Sequence, residues 1–110
     1  MDEKQLRILS NAKKLIINGH CRFQIRSDRD YIEDLIMIGI TEEYAWKVIL
    51  SLSNRDYVFD YRPFYNKTGN ALVFKRLING YAVYIKIKIE CNYDIGEEVV
   101  CLSFHIDNMK

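Results

Sequence analysis

The dipeptide Asn79-Gly80 constrains the fold of this chain most, because it joins two stretches, 71–78 and 81–90, in which apolar and polar residues alternate. A two-residue type I′ turn needs a positive φ at both central residues, which asparagine and glycine tolerate best. The two stretches are therefore predicted to pair as an antiparallel hairpin. Because the turn also sets the register, facing residues follow by counting outward from it, and Lys75 is expected opposite Tyr84.

Residues two apart in a strand share a face, so the hairpin separates an apolar face from a basic one. The apolar face is predicted to point to the core and to hold Leu72, Phe74, Val83, Ile85, Ile87 and Ile89. The opposite, uncovered face is predicted to hold Lys75, Tyr84, Lys86 and Lys88.

A last strand is predicted over 98–106, with two alternating rows of side chains. The apolar row is predicted to contain Val100, Leu102, Phe104 and Ile106, and the other row Val99, Cys101, Ser103 and His105. If this strand pairs antiparallel with 81–90, the apolar rows of the two strands share a face. Ser103 and His105 then lie on the side of Tyr84 and Lys86.

The first half of the chain shows the 3.6-residue period of helices instead. Helices are predicted over about 4–18, from an N-cap at Ser27 to Gly39, and from an N-cap at Thr41 to about 52, with a short strand over 21–25. A strand over 57–64, a turn over 65–70 and a loop over 91–97 complete the prediction. The fold class is therefore α+β, with three N-terminal helices and a short strand packed on a C-terminal antiparallel sheet. Residues 1–110 are expected to form one domain.

Positive charge is concentrated in one part of a nearly neutral chain. The net charge is +1, but residues 57–90 hold six basic and two acidic residues, a local +4. The basic residues are Arg62, Lys67, Lys75, Arg76, Lys86 and Lys88. Such a patch can attract a phosphate backbone at short range. A sheet face that carries charge only for solubility is an equally common explanation.

Several classes of protein are disfavoured by composition. The three cysteines, Cys21, Cys91 and Cys101, form no C-x-x-C pair, which argues against a disulfide framework or a zinc site. The polar N-terminus and the short longest apolar run, 35–40, predict neither a leader nor a membrane span. We therefore expect a cytoplasmic protein without metal or cofactor.

The residues expected on the basic face suit cleavage of RNA by its own 2′-hydroxyl. That reaction needs a base for the 2′-hydroxyl proton, an acid for the leaving 5′-oxygen, and cations for the charge on the phosphorane. Histidine can perform either proton transfer near neutral pH, and lysine and tyrosine can hold the phosphate. Taken alone, however, a histidine and a tyrosine on a sheet face are more often ordinary surface residues.

Three runs in the sheet resemble the C-terminal half of MqsR-family toxins, the motility quorum-sensing regulator family. They are Leu77-Ile78-Asn79-Gly80, Val83-Tyr84-Ile85-Lys86-Ile87 and Val99-Val100-Cys101-Leu102-Ser103-Phe104-His105. Asp56-Tyr57 is similar to the family's D-[FY] step into the sheet. The resemblance implies a RelE-like ribonuclease fold and a type II toxin that cuts messenger RNA and is held inactive by a cognate antitoxin, with the ribosome as a further candidate partner.

The resemblance also assigns roles to particular residues. The family's active tyrosine matches Tyr84, Lys86 stands in the same Tyr-x-Lys pattern, and the basic residue after Ser-Phe matches His105. With Lys75, these are the expected catalytic residues. RNA contacts are expected from Arg62, Arg76, Lys88 and Ser103.

The chain also departs from the family pattern. It lacks the lysine that family members carry soon after the D-[FY] step, and Ala71 stands near the place of their glutamine. Arg62 or Lys75 is a candidate replacement for the missing cation. The alternative is therefore a catalytically inactive module that uses the same basic face to bind RNA or a protein. A small-molecule-binding domain is a third reading, for which the sequence shows no apolar pocket.

Overall fold

The computed structural model describes residues 1–58 and 71–107, and there it shows three helices and a four-stranded sheet. The predicted α+β class is confirmed. The elements in chain order are α1 (Glu3–Ile17), β1 (Cys21–Phe23), α2 (Tyr31–Ile38), α3 (Glu42–Leu50), a 3-10 turn (Asn54–Asp56), β2 (Ala71–Ile78), β3 (Tyr81–Asn92) and β4 (Gly96–Ile106). The predicted strand over 57–64 is described only at Tyr57, which forms a β-bridge with Phe74, and at Val58; the rest of it and the turn over 65–70 lie outside the described residues.

Within residues 1–58 and 71–107, no helix is both long enough and apolar enough to cross a lipid bilayer.

Each helix begins at a side chain that accepts a hydrogen bond from the first turn. Asp2 caps α1 in a reciprocal pair with Gln5, and Thr41 caps α3 as predicted. For α2 the predicted N-cap Ser27 is wrong, because the Asp30 carboxylate accepts from the Ile32 amide at 2.9 Å. Ser27 precedes Asp28, which is held by an ion pair with Arg26 before the helix begins.

The hairpin of β2 and β3 has the predicted register throughout. Asn79 and Gly80 adopt φ of 52° and 84°, and the pairs run from Ile78 opposite Tyr81 to Ala71 opposite Lys88. The Asn79 amide also donates to the Ile38 carbonyl at 3.0 Å, which ties the turn to the end of α2.

The predicted loop over 91–97 is instead a second tight hairpin. β3 continues to Asn92, which pairs with Gly96, and the Asn92 side chain accepts from the Asp94 amide at 2.9 Å. Gly96 adopts a φ of 83°, a conformation that side chains with a Cβ disfavour.

A β-bulge in β4 overturns part of the predicted alternation. Ser103 faces Lys86, but Cys101 faces Ile87, so Leu102 is an extra residue without a partner. Beyond the bulge the two rows exchange faces. Val99 and Cys101 therefore join the core, and Val100 lies on the face of Lys88. Phe104 and Ile106 lie on the C-terminal side of the bulge, and they point to the core as predicted.

The sheet is mixed rather than purely antiparallel, with strand order β1-β4-β3-β2. β1 pairs in parallel with β4, with Arg22 opposite Val100. The Arg22 guanidinium contacts Glu98 at 2.9 Å and Glu90 at 3.1 Å, so ion pairs as well as ladder hydrogen bonds hold this three-residue strand.

The helices cover one face of the sheet, and the core lies between them. Leu9, Ala12 and Ile16 of α1, Leu35 and Ile38 of α2, and Ala45, Val48 and Ile49 of α3 are buried against the apolar face. The basic row of β2 and β3 thus lies on the side away from the helices.

An ion pair between Arg76 and Asp56, here called the Arg76 clamp, joins β2 to the 3-10 turn. The Arg76 guanidinium binds the Asp56 carboxylate through two hydrogen bonds, of 2.9 and 3.1 Å, and also the Ser51 hydroxyl at 2.8 Å. The hydrogen bonds from Arg76 lower the pKa of Asp56 below its ordinary value of 3.8.

The Arg76 clamp predicts an acid-sensitive contribution to stability. A carboxyl group whose pKa is lower in the folded state stabilises that state above its unfolded pKa, and the contribution is lost as the pH falls through the folded pKa. The Asp56→Asn variant should therefore lose about 1.5–3 kcal/mol of unfolding free energy at pH 7. Urea unfolding of wild type and variant should show this deficit shrink as the pH falls below about 3.8, where Asp56 of the unfolded chain becomes protonated, and vanish below the lower pKa of the folded state.

Asp28→Asn is the matched control, since the Asp28 carboxylate is also paired with an arginine but is far more exposed. It should leave the unfolding free energy close to that of wild type. An Asp56→Asn deficit of the same size at pH 7 and pH 3 would contradict the assignment.

Candidate active site

Lys75, Tyr84 and His105 form a single row across three strands on the face away from the helices. Lys75 of β2 faces Tyr84 of β3, and Tyr84 faces His105 of β4. The rings of Tyr84 and His105 stack, with centroids 5.3 Å apart and planes inclined by 20°. The prediction that these side chains share a face is confirmed.

The backbone contact of His105 indicates which ring nitrogen is available. Its Nδ1 lies 3.0 Å from the Ile106 carbonyl oxygen, which can only accept a hydrogen bond. We infer that Nδ1 carries a proton and that Nε2 is the nitrogen able to accept one in the neutral ring. This is the arrangement that a general base requires.

Lys75 is held by a carboxylate that the sequence analysis did not single out. Its Nζ lies 2.8 Å from Oδ2 of Asp107, the residue after β4. Asp107 continues the alternation of Ser103 and His105, so the strand period could have placed it on the same face.

The neighbouring row contains Val73, Lys86 and Ser103. Lys86 is paired with Ser103, which lies on the predicted side of the sheet, but the expectation of an uncovered face is wrong at this point. Lys86 is only 6% exposed, Val73 3% and Val100 0%. The Lys86 side chain therefore lies beside the Tyr84 row and is largely shielded from solvent.

Lys88 belongs to a cluster of paired charges farther along the face. Its Nζ lies 3.2 Å from Glu90, and Glu90 and the buried Glu98 both bind Arg22. The two carboxylates balance the two cations. Lys88 is consequently placed two rows from Tyr84, in surroundings that add little net positive charge.

Of the other predicted RNA contacts, Arg76 is not brought to this row. Arg76 faces Val83, a core residue, and its guanidinium is bound to Asp56 on the helix side of the sheet. Arg62 lies outside the described residues. Among the basic residues of 71–90, Arg76 therefore lies on the opposite face from Lys75, Lys86 and Lys88.

A shallow cleft borders the row on the β1 side of β4. Ser103 and His105 line it together with Gln24, Arg26 and Arg29. The arginines are paired, with Asp28 at 2.8 Å and with Asp34 at 2.7 Å. These ion pairs leave the cleft without a marked excess of charge.

Two of the three cysteines, Cys21 and Cys101, are poorly suited to act as nucleophiles. Burial raises the pKa of the Cys101 thiol far above its ordinary value, and burial also raises that of Cys21. Both thiols are therefore less readily ionised than a free cysteine, and the thiolate is the reactive form. Among residues 1–58 and 71–107, no three side chains of the metal-binding types are grouped closely enough to hold an ion.

No protein-family model, curated protein or solved structure matches this chain, so membership of the MqsR family stays a prediction from the resemblance.

Proposed function

We propose that this protein is an endoribonuclease that cleaves messenger RNA without a metal, through attack of the 2′-hydroxyl on the adjacent phosphate. The observation that carries the proposal is the row of Lys75, Tyr84 and His105, in which an ammonium, a phenol and an imidazole stand side by side. These are the groups that this reaction needs for proton transfer and for binding the phosphate.

In this proposal Nε2 of His105 takes the proton of the 2′-hydroxyl. The 2′-oxygen forms a bond to phosphorus while the bond from phosphorus to the 5′-oxygen breaks. The resulting imidazolium returns the proton to the leaving 5′-oxygen, which yields a 2′,3′-cyclic phosphate and a 5′-hydroxyl. Tyr84 and Lys75 donate hydrogen bonds to the phosphate oxygens, and Lys86 supplies positive charge from the adjacent row.

The biological role follows from the resemblance rather than from the row. The strand sequences around Tyr84 and His105 resemble those of MqsR-family toxins, which favours a cytoplasmic toxin that is neutralised by a cognate antitoxin. Ribosome-bound messenger RNA is a further candidate substrate under this proposal.

The test is cleavage of a labelled RNA by the purified protein, freed of any bound protein, in EDTA. We expect fragments that end in a 2′,3′-cyclic phosphate, and an uncut site when the nucleotide before the scissile phosphate is replaced by its 2′-deoxy form. Intact RNA both with and without ribosomes, together with no effect of the protein on cell growth, would rule the proposal out.

The second candidate is an inactive module that binds RNA or a protein through the same face. It is favoured by the pairing of Lys75 and Lys88 with carboxylates, which reduces the charge available to a phosphorane. The absence of the family's lysine after Asp56-Tyr57 points the same way. Growth separates the two, because only the nuclease should arrest it in a manner that depends on Tyr84 and His105.

A further inference from the structure

We infer that Asp107 is a positioning residue that holds the Lys75 ammonium beside Tyr84 for the transition state. The inference rests on the proposed ribonuclease activity and adds to it a residue outside the resemblance. Its basis is the 2.8 Å contact between Lys75 Nζ and Asp107 Oδ2, in which the two side chains are 30% and 14% exposed.

The backbone explains how a residue at the end of β4 reaches a lysine on β2. The Asp107 amide donates to the Ala82 carbonyl at 2.8 Å, which anchors Asp107 to β3 one row beyond Tyr84. Lys75 stands on the far side of β3, opposite Tyr84. The ion pair therefore crosses β3 next to Ala82, whose small side chain leaves room for it.

This geometry matters because a lysine has four rotatable bonds and otherwise samples many positions. The carboxylate holds the ammonium next to Ala82, immediately beside the row that contains Tyr84 and His105, before any substrate arrives. A donor that is already in place requires no reorganisation during the reaction. Loss of the carboxylate should consequently appear in kcat, while the binding of the whole RNA is little changed.

The experiment compares steady-state RNA cleavage by wild type, Asp107→Asn, Lys75→Met and the double variant. For Asp107→Asn we expect kcat to fall by about tenfold with KM within about twofold of wild type. The double variant should be no slower than Lys75→Met alone, because Asp107 acts through Lys75. Asp107→Glu, which keeps the charge, should recover part of kcat.

Glu90→Gln is the matched control. Glu90 is also a carboxylate bound to a lysine, Lys88, on this face, but it lies three rows from Tyr84 along β3. It should cleave like wild type. Amide NMR spectra of each variant establish that it is folded. The NMR signal of the Lys75 ammonium group should shift in Asp107→Asn, where the ion pair is lost.

The outcomes separate this inference from the proposed function. Wild-type protein that leaves RNA intact overturns the nuclease and the inference together. Active wild type with an Asp107→Asn variant of unchanged kcat overturns the inference alone. So does a Lys75→Met variant that cleaves normally, or a double variant in which the two losses multiply.

Discussion

Replacement of His105 by alanine is expected to lower kcat for RNA cleavage by about 10²–10⁴-fold, the usual range for the loss of a positioned general base or acid. His105 is the histidine in the row with Tyr84 and Lys75, and its Nδ1 is held by the Ile106 carbonyl. In the proposed mechanism, loss of the imidazole forces the 2′-hydroxyl proton to pass to water, while the cations proposed to bind the phosphate remain. We therefore expect the loss in kcat, with RNA affinity close to that of wild type.

The measurement is single-turnover cleavage of a labelled RNA, alongside binding of the same RNA in an uncleavable 2′-deoxy form. His20→Ala is the matched control, because His20 is an exposed histidine whose carbonyl accepts from the Val99 amide, toward the opposite end of β4 from His105. A His105→Ala variant that is folded and cleaves at the wild-type rate would remove His105 from the mechanism. Expression of the three proteins in cells should give growth arrest from wild type and His20→Ala only.

Replacement of Phe74 by alanine is expected to lower the unfolding free energy by about 3–5 kcal/mol, the range for deleting a buried aromatic side chain. Phe74 is 0% exposed in the middle of β2, faces Ile85, and meets the ring of Tyr57 edge-on with centroids 6.0 Å apart. Since small domains are stable by only about 5–15 kcal/mol in total, this one change should remove a large share of the stability.

Urea unfolding followed by circular dichroism measures that loss. Leu77→Ala on the same strand is the control, because Leu77 is 72% exposed and its truncation leaves no cavity. Equal midpoints for the two variants would contradict the placement of Phe74 in the core. Phe74 immediately precedes Lys75 in β2, so unfolding of this strand also displaces Lys75. The Phe74→Ala variant should therefore lose RNA cleavage at temperatures where it begins to unfold.

The hairpin around Asn79-Gly80 shows which parts of the fold were predictable. A two-residue turn with positive φ determines its own register, so the positions of Lys75, Tyr84 and Lys86 could be counted from the sequence. The face of His105 required only one more assumption, an antiparallel β4 whose apolar residues point to the core, whereas its pairing with Tyr84 came from the structure.

The bulge at Leu102 shows what could not be counted. Valine, cysteine and leucine are all compatible with either face of a strand, so residues 99–102 fit an uninterrupted alternation as well as an interrupted one. Packing against the helices decides between them, since Val99 and Cys101 are buried in the core. For a similar reason, nothing in Cys21–Phe23 specifies that β1 pairs in parallel with β4.

The sequence by itself determined the elements whose signals are local: helix α1, helix α3 with its Thr41 cap, the hairpin of β2 and β3, and the common face of Tyr84 and Lys86. The tertiary structure alone decided the bulge, the parallel edge strand, the burial of Lys86, and the pairing of Lys75 with Asp107 and of Arg76 with Asp56. The physical reason is the range of the interactions. Turn and cap preferences act within a few residues, whereas the partner of a long charged side chain depends on which distant strand or turn packs beside it.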